Sequence, residues 1–515
     1  MGGDPPIWRR AYACLERGES DEARALLAAR GCEGSEASPT ARWAADLLAA
    51  VLAPSGTPAP SVPRPASVGI EDDPTDPGGE TAAFALALHA VLESRSALPQ
   101  GRLDDLVEWV DRAAHHVPDD ALWLRASIAS LYQAAFRFTG RADLRDRGIV
   151  LAERVADRVD RPSMAILGRG VLATIHLIAG RLHATLDRCD AAIDLAASTG
   201  FAEHPLAAMP HQFRGYVLFE WNRIAEARDE LERAWILSRP RATGVRSGVA
   251  RTLTAVCTAL GDDEEADLWF GHLEEIVSEP MTLRNREWLA AVRIRHGTLR
   301  DRDLRAIDSW RQSYDYDSDA LSNLDPAAIP ARLHEYEHLL MVLEATRQWE
   351  TILRISEILR DGSGATRPWF AVRAWMARAV ALDGLGRRDE ADTAVARALD
   401  LAQAEGYVRV FLDGSPVRVG LLRRALDDRA TAAESQRVLD AARAADGDGP
   451  DPTALTPKQL QVIHLVAQGH SNREVATELG VAETTVRTHL REVYARLEVG
   501  SRTAAVAEAR RRRLI

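Results

Sequence analysis

Apolar residues recur every three or four positions through most of the chain and almost nowhere alternate one by one, which predicts helix after helix rather than strands. Residues 455–515 show the pattern most clearly. Thr456-Pro457-Lys458-Gln459 is a capping box with proline at the first helical position, Ile463, Val466 and Ala467 form an apolar face, and Gly469 ends the helix. Ser471-Asn472-Arg473-Glu474 opens a second, shorter helix with Val475, Ala476 and Leu479 facing inward and Gly480 at its end. A turn through Val481 leads to a third helix over about 483–497. There Val486, Leu490, Val493 and Leu497 fall on one side, with Thr484, Arg487, Thr488 and Arg491 about 180° away. Short helix, tight glycine turn and second helix are the order of a helix-turn-helix.

The stretch 81–445 carries a slower period. Trp375, Ala379, Leu382, Gly386, Ala391, Val395 and Ala398 follow the tetratricopeptide spacing of large, small and turn positions. Gly215, Leu218, Asn222, Ala227, Leu231 and Ala234 follow it too, as do Gly261, Ala266, Phe270 and Leu273. Ala173, Gly180, Thr185, Cys189 and Ala192 are a looser copy. The turn positions Gly180, Asn222, Gly261 and Gly386 lie 42, 39 and 125 residues apart, a repeat near 40 that is irregular. Small residues let two helices of a hairpin approach closely, and large ones fill the gap to the next hairpin. Such hairpins stack into a superhelix with a concave face. Trp8, Ala11, Leu15, Ala23 and Leu26 predict one more hairpin at the N-terminus.

The predicted fold class is all-α, a tetratricopeptide-like superhelix followed by a small four-helix helix-turn-helix domain. The expected divisions are an N-terminal hairpin (1–53), a Pro-rich linker (54–80) with seven prolines, the repeat domain (81–445), an acidic linker (446–454) and the helix-turn-helix domain (455–515). Charge follows these divisions. Residues 455–515 hold 10 basic and 6 acidic residues, a local +4, which leaves −16 on the rest of a chain of net charge −12. That split predicts a nucleic-acid role confined to the small module, with an acidic body that repels DNA and masks the module until an effector or partner intervenes.

Residue usage excludes several chemistries. Lys458 is the single lysine and has no G-x-x-x-x-G-K-[ST] context, so neither a P-loop nor a Schiff-base lysine is expected. No run of about 18 apolar residues predicts a membrane span. Met1 to Trp8 has no charged and apolar leader pattern. Cys14, Cys32, Cys189 and Cys257 lie far apart, without a C-x-x-C pair, which fits a reducing cytoplasm and predicts neither disulfide nor bound metal. The chain is therefore read as cytoplasmic, without cofactor, and not as an enzyme.

The outward set of the third helix suits a major groove. Arginine can bridge guanine O6 and N7, and threonine can touch a thymine methyl or a phosphate. Helix N-termini at Ser471-Asn472 and at Thr484-Thr485 offer N–H groups to phosphates, and Arg473, Arg496 and Arg502 add charge. The string from Leu455 to Val506 resembles the LuxR/FixJ-type helix-turn-helix, on Leu455-Thr456-Pro457, Gly469, Ser471-Asn472, Thr485-Val486-Arg487, His489, Leu497 and Arg502. That resemblance implies base reading by Arg487, Thr488 and Arg491, and a homodimer formed through the helix after Ser501. Gln461, Ala482 and Glu492 depart from the usual acidic, Ser/Thr and Asn residues.

Glu335-Tyr336-Glu337-His338-Leu339 and the stretch Glu405 to Asp413 (EGYVRVFLD) resemble the maltose-regulator class of large ATP-dependent LuxR-type activators. In that class, tetratricopeptide-like repeats bind an inducer and precede the same DNA module. The class begins with a nucleotide-switch ATPase that this sequence does not show, so ATP switching is not implied.

Other constellations read as structure. His334-Glu335-Tyr336-Glu337-His338 is a literal H-E-x-x-H without its continuation, so a repeat helix is expected there rather than a zinc hydrolase. Asp315-Tyr316-Asp317-Ser318-Asp319 starts like a calcium loop but has Ala320 at the sixth position and Pro326 at the twelfth. Gly168-Arg169-Gly170 lacks a βαβ context and predicts helix packing. His115-His116 predicts a helix end.

The functional expectation is a sequence-specific transcription regulator. Its module binds double-stranded promoter DNA as a homodimer, and its body senses an unknown small molecule or protein, with no membrane partner. The alternative is an interaction scaffold whose helix-turn-helix serves mainly in oligomerisation.

Overall fold

The structure is a computed structural model. It describes residues 6–29, 39–53, 80–97, 102–238, 243–277, 289, 292–293, 295, 339–363, 368–414, 417–447, 457–479, 486, 489–490, 493–494, 497, 499 and 501–511. Among these, every regular element is helical. The chain divides into two compact units, 1–441 and 442–515.

The first unit runs α1 (Ile7–Glu16), α2 (Ser20–Ala28), α3 (Pro39–Val51), α4 (Glu80–Ala97), α5 (Leu103–His116), α6 (Leu122–Thr139), α7 (Ala142–Ala156), α8 (Pro162–Ile178) and α9 (Leu182–Ser198). It continues through α10 (Ala208–Glu220), α11 (Ile224–Leu237), α12 (Thr243–Leu260), α13 (Asp263–Val277), α14 (Trp349–Ser363), α15 (Pro368–Gly384), α16 (Arg388–Gln403), α17 (Arg409–Leu412), α18 (Val417–Arg424) and α19 (Ala432–Gly447). Helices pack pairwise as hairpins, α6 with α7, α8 with α9, α10 with α11, α12 with α13 and α15 with α16.

The turn positions expected from sequence all occur at left-handed backbone: Gly180 (φ 75°), Asn222 (61°), Gly261 (71°) and Gly386 (75°). Each turn closes the same way. The residue after the left-handed one donates its N–H to the carbonyl five positions back, as in Arg181 to His176, Arg223 to Leu218, Asp262 to Cys257 and Arg387 to Leu382. Arg347 (φ 56°) holds the same position 39 residues before Gly386, and Gly140 (φ 70°) holds it 40 before Gly180. Neither was part of the sequence pattern. An arginine carries no turn signal, so only the backbone shows that step of the repeat.

The small positions sit where helices cross. Ala379, Ala391, Val395 and Ala398 are buried, as are Ala227, Leu231 and Ala234. Helix α15 packs against both α14 and α16 and is buried nearly all round. In α13 the expectation is corrected by one residue. Trp269 is buried at 5% exposure, while Phe270 is only half-buried.

The expected N-terminal hairpin forms from α1 and α2, with α3 as a third helix after it, and in α2 the buried leucine is Leu27 rather than Leu26. Trp8 stacks on Phe84 at 4.7 Å, and the Tyr12 hydroxyl accepts from the Leu124 N–H at 3.1 Å. One apolar core therefore runs from α1 to α8. Glu80, expected in the linker, is the first residue of α4. The described cysteines Cys14, Cys189 and Cys257 are buried free thiols. Among the described residues no helix is long and apolar enough to cross a membrane.

The second unit contains α20 (Pro457–Ala467), α21 (Asn472–Leu479) and α22 (Arg502–Arg511) around one apolar core.

Candidate ligand pocket and nucleic-acid module

The small module is built as its pattern requires. Val486, Leu490, Val493 and Leu497 are all buried, in one cluster with Ile463, Val466, Val475 and Ala476. Ala467 is only half-buried. Gly469 turns the chain at φ 97°. The second capping box closes reciprocally: the Ser471 N–H donates to Glu474 Oε2 at 2.7 Å, and the Glu474 N–H donates to Ser471 Oγ at 3.3 Å. Those bonds hold the Glu474 carboxyl below its ordinary range. A further cap was not read from sequence, since Ser501 Oγ accepts from the Ala504 N–H at 3.2 Å.

Of the expected DNA-contacting residues, Ser471, Asn472, Arg473 and Arg502 are described. Ser471 and Arg473 are exposed. Arg502 is half-buried, donating to Asn472 Oδ1 at 2.9 Å and to the His470 carbonyl. It ties the start of α22 to the turn before α21. Thr484, Thr485, Arg487, Thr488, Arg491 and Arg496 lie outside the described residues.

The repeat body holds a second candidate site that no sequence motif marks. A cavity of about 460 Å³ lies among α6, α8, α10, α12 and α15. Its apolar wall includes Leu177, Met209, Phe213 and Phe219, and its polar wall includes Gln212, Glu220, Arg251 and Arg373. Glu220 ends α10 and is 2% exposed, with Oε1 3.7 Å from Arg373 Nη2 and no hydrogen-bond partner on Oε2. Gln212, 8% exposed, lies two turns earlier on the same helix.

The stretch Glu405 to Asp413 straps this region together. The Tyr407 hydroxyl donates to the Gly180 carbonyl at 2.9 Å, the Val408 N–H to the Glu220 carbonyl at 3.0 Å, and Trp221 Nε1 to the Glu405 carbonyl at 2.9 Å. Asp413 accepts from both Arg295 and Arg409. Burial pushes its carboxyl up, but Arg295 and then Arg409 outweigh that and hold it below the usual range. Burial, with Glu220 adding to it, drives the Tyr407 phenol well above its ordinary value, so it stays a donor.

Known proteins resemble both units. Residues 87–428 match the family model of the MalT-like TPR region, and residues 453–509 match that of the bacterial regulatory proteins, luxR family. The chain belongs to the MalT-like TPR family. It carries a luxR-type helix-turn-helix after the MalT-like repeats. It is 22% identical to the HTH-type transcriptional regulator MalT of Yersinia enterocolitica over 82% of this chain and 49% of that protein. MalT of Serratia proteamaculans is 23% identical over 64% of this chain and 39% of its own length. The HTH-type transcriptional regulator AlkS of Ectopseudomonas oleovorans is 34% identical over 18% of this chain and 10% of its own length. The chain thus spans about half the length of the Yersinia enterocolitica MalT.

The remaining constellations of this MalT-like chain divide by position. Gly168 and Gly170 lie within α8, where a Cβ on Gly168 would stand 2.6 Å from the Ala156 nitrogen, so the glycines serve close helix packing. His115 and His116 end α5. Cys14, Glu19 and Glu22 bring three ligand atoms within 4.8 Å, but Arg17 occupies that cluster, with its Nη2 3.2 Å from Cys14 Sγ and its Nε 2.7 Å from Glu19. The 315–326 loop and His334 to His338 lie outside the described residues.

Proposed function

We propose that this chain is a DNA-binding transcription regulator whose repeat body binds a small-molecule effector. The observation that carries the reading is the combination, on one chain, of a luxR-type module and MalT-like repeats enclosing a cavity with buried polar groups. Phosphate contacts from Ser471, Asn472 and Arg473 would position the module, aided by Arg496 and Arg502. Arg487, Thr488 and Arg491 would read bases in the major groove, with Thr484 and Thr485 at the start of that helix on phosphate. Two modules would act together on paired half-sites, as a homodimer through the C-terminal domain.

The test is selection of bound sequences from random DNA by the full-length chain and by its Arg487→Ala/Arg491→Ala double variant. An enriched motif that the variant loses is the expected result. No enrichment by the full-length chain at low salt would favour the scaffold reading instead.

A further inference from the structure

The stretch Glu405 to Asp413 is bonded on one side to the cavity wall and on the other to α19, the described helix that precedes the DNA module in chain order. We infer that this strap couples the two. Asn222 and Arg437 fasten it to α19, so that a molecule filling the cavity changes how firmly the end of α19 is held. The inference rests on the effector-pocket reading above and adds the route by which the pocket is read out.

On the cavity side, Tyr407 and Val410 belong to the wall itself. The Tyr407 hydroxyl is bonded to the Gly180 carbonyl and the Val408 N–H to the carbonyl of Glu220, whose side chain is another part of the wall. A ligand that presses on Tyr407 or Val410 therefore acts directly on the strap. Close-packed groups transmit such a displacement instead of absorbing it.

On the other side, the carbonyls of the strap serve α19. Arg437 donates from Nη2 to the Tyr407 carbonyl at 3.1 Å and from Nη1 to the Gly406 carbonyl at 3.4 Å. Val438 and Leu439 are buried in the same apolar cluster as Tyr407, Val408, Val410 and Phe411. Asn222 completes the link. Its Oδ1 accepts from Arg409 Nη1 at 2.9 Å, and its Nδ2 donates to the Ala441 carbonyl at 2.9 Å. Ala441 is the last residue of the first compact unit, and α19 runs on to Gly447. The hairpin turn alone does not need this side chain, because Gly140, Gly180, Gly261 and Gly386 make the equivalent turns without one. Asn222 holds the same left-handed backbone and adds a buried amide that joins strap to helix.

The test follows amide hydrogen exchange by mass spectrometry in the full-length protein, with and without N-phenyl-1-naphthylamine, a neutral fluorescent probe with an apolar body. Saturable fluorescence that the cavity-filling Ala255→Trp abolishes marks the probe as bound in the cavity. In the unaltered chain the probe should slow exchange in peptides from both 405–413 and 432–443, by about 5-fold or more, the low end of ordinary coupling between sites. Asn222→Gly keeps the left-handed turn and removes both side-chain bonds. In that variant the probe should still slow exchange over 405–413 but no longer over 432–443. A merely structural Asn222 would raise exchange of α19 with or without the probe and leave the effect of the probe in place. Arg437→Gln gives the same comparison if Asn222→Gly fails to fold by circular dichroism. Probe protection that does not reach 432–443 in the unaltered chain, or that survives there in the folded variant, would overturn the coupling and leave the pocket standing. Absence of saturable probe binding, or unchanged binding to a folded Ala255→Trp variant, would overturn the pocket and the coupling with it.

Discussion

The phenol of Tyr407 donates a hydrogen bond to the backbone carbonyl of Gly180 at 2.9 Å, across 227 residues of sequence. Gly180 is the left-handed residue that turns α8 into α9, and Tyr407 belongs to the strap beside the cavity. The contact links a turn early in the repeat body to a segment near its end. It also closes an acceptor that the turn leaves inside the protein.

Tyr407→Phe keeps the ring and removes the donor. The Gly180 carbonyl is then buried without a partner, a loss of about 1–3 kcal/mol. Chemical denaturation of the full chain should show a lower midpoint at an unchanged slope. No change in midpoint would mean that solvent reaches the carbonyl.

Gly180→Ala and Gly386→Ala separate backbone strain from crowding. Both positions have φ 75°, so both variants pay about 1–2 kcal/mol for a side chain in the left-handed region. A Cβ at Gly386 meets open space, whereas one at Gly180 stands 2.9 Å from Trp369 Cδ1 and 3.1 Å from the Tyr407 hydroxyl. Gly180→Ala should therefore melt lower than Gly386→Ala. It should also weaken cavity ligands, since Trp369 and Tyr407 both line the cavity.

His176, on α8, is held neutral. Burial first, then Arg188, Arg181 and Arg145, pull its pKa from 6.5 down to about 4. Between those values the unfolded chain binds a proton that the folded chain refuses. Stability therefore falls as pH drops from about 6.5 to about 4, by roughly 3 kcal/mol in all. His176→Gln should flatten that part of the stability-against-pH curve. An unchanged slope would assign it to other groups.

Arg502→Ala tests whether that arginine acts inside the module as well as on DNA. Loss of its bonds to Asn472 and His470 should destabilise the second unit by about 1–2 kcal/mol. A residue that only touched phosphate would leave melting unchanged and lower the salt slope of DNA binding by about one.

Much of the architecture was legible because it depends on local chemistry. Gly180, Asn222, Gly261 and Gly386 announce turns because glycine and asparagine tolerate positive φ. The reciprocal bonds of Ser471 and Glu474 follow from a spacing of three residues. The apolar stripe Val486, Leu490, Val493 and Leu497 follows from the helical period. Arg347 escaped because arginine in a turn has no signature, and Trp269 displaced Phe270 because adjacent aromatics compete for one buried direction.

The sequence by itself determined the helical class, the repeat length, the place of most turns and the capping of the small module. Each of these is settled within a few residues, by backbone torsions and side-chain period. Only the tertiary structure decided that Glu220, Gln212, Arg251 and Arg373 share one cavity, that Tyr407 reaches Gly180, and that Asp413 sits between Arg295 and Arg409. Gln212 and Glu220 share α10, and Arg409 and Asp413 are one turn apart, but Arg251, Arg373, Arg295 and Gly180 reach them from other parts of the chain, where neither spacing nor periodicity relates them. Their meeting depends on how each hairpin rotates on the one before it, and that rotation is set by packing summed along the whole stack.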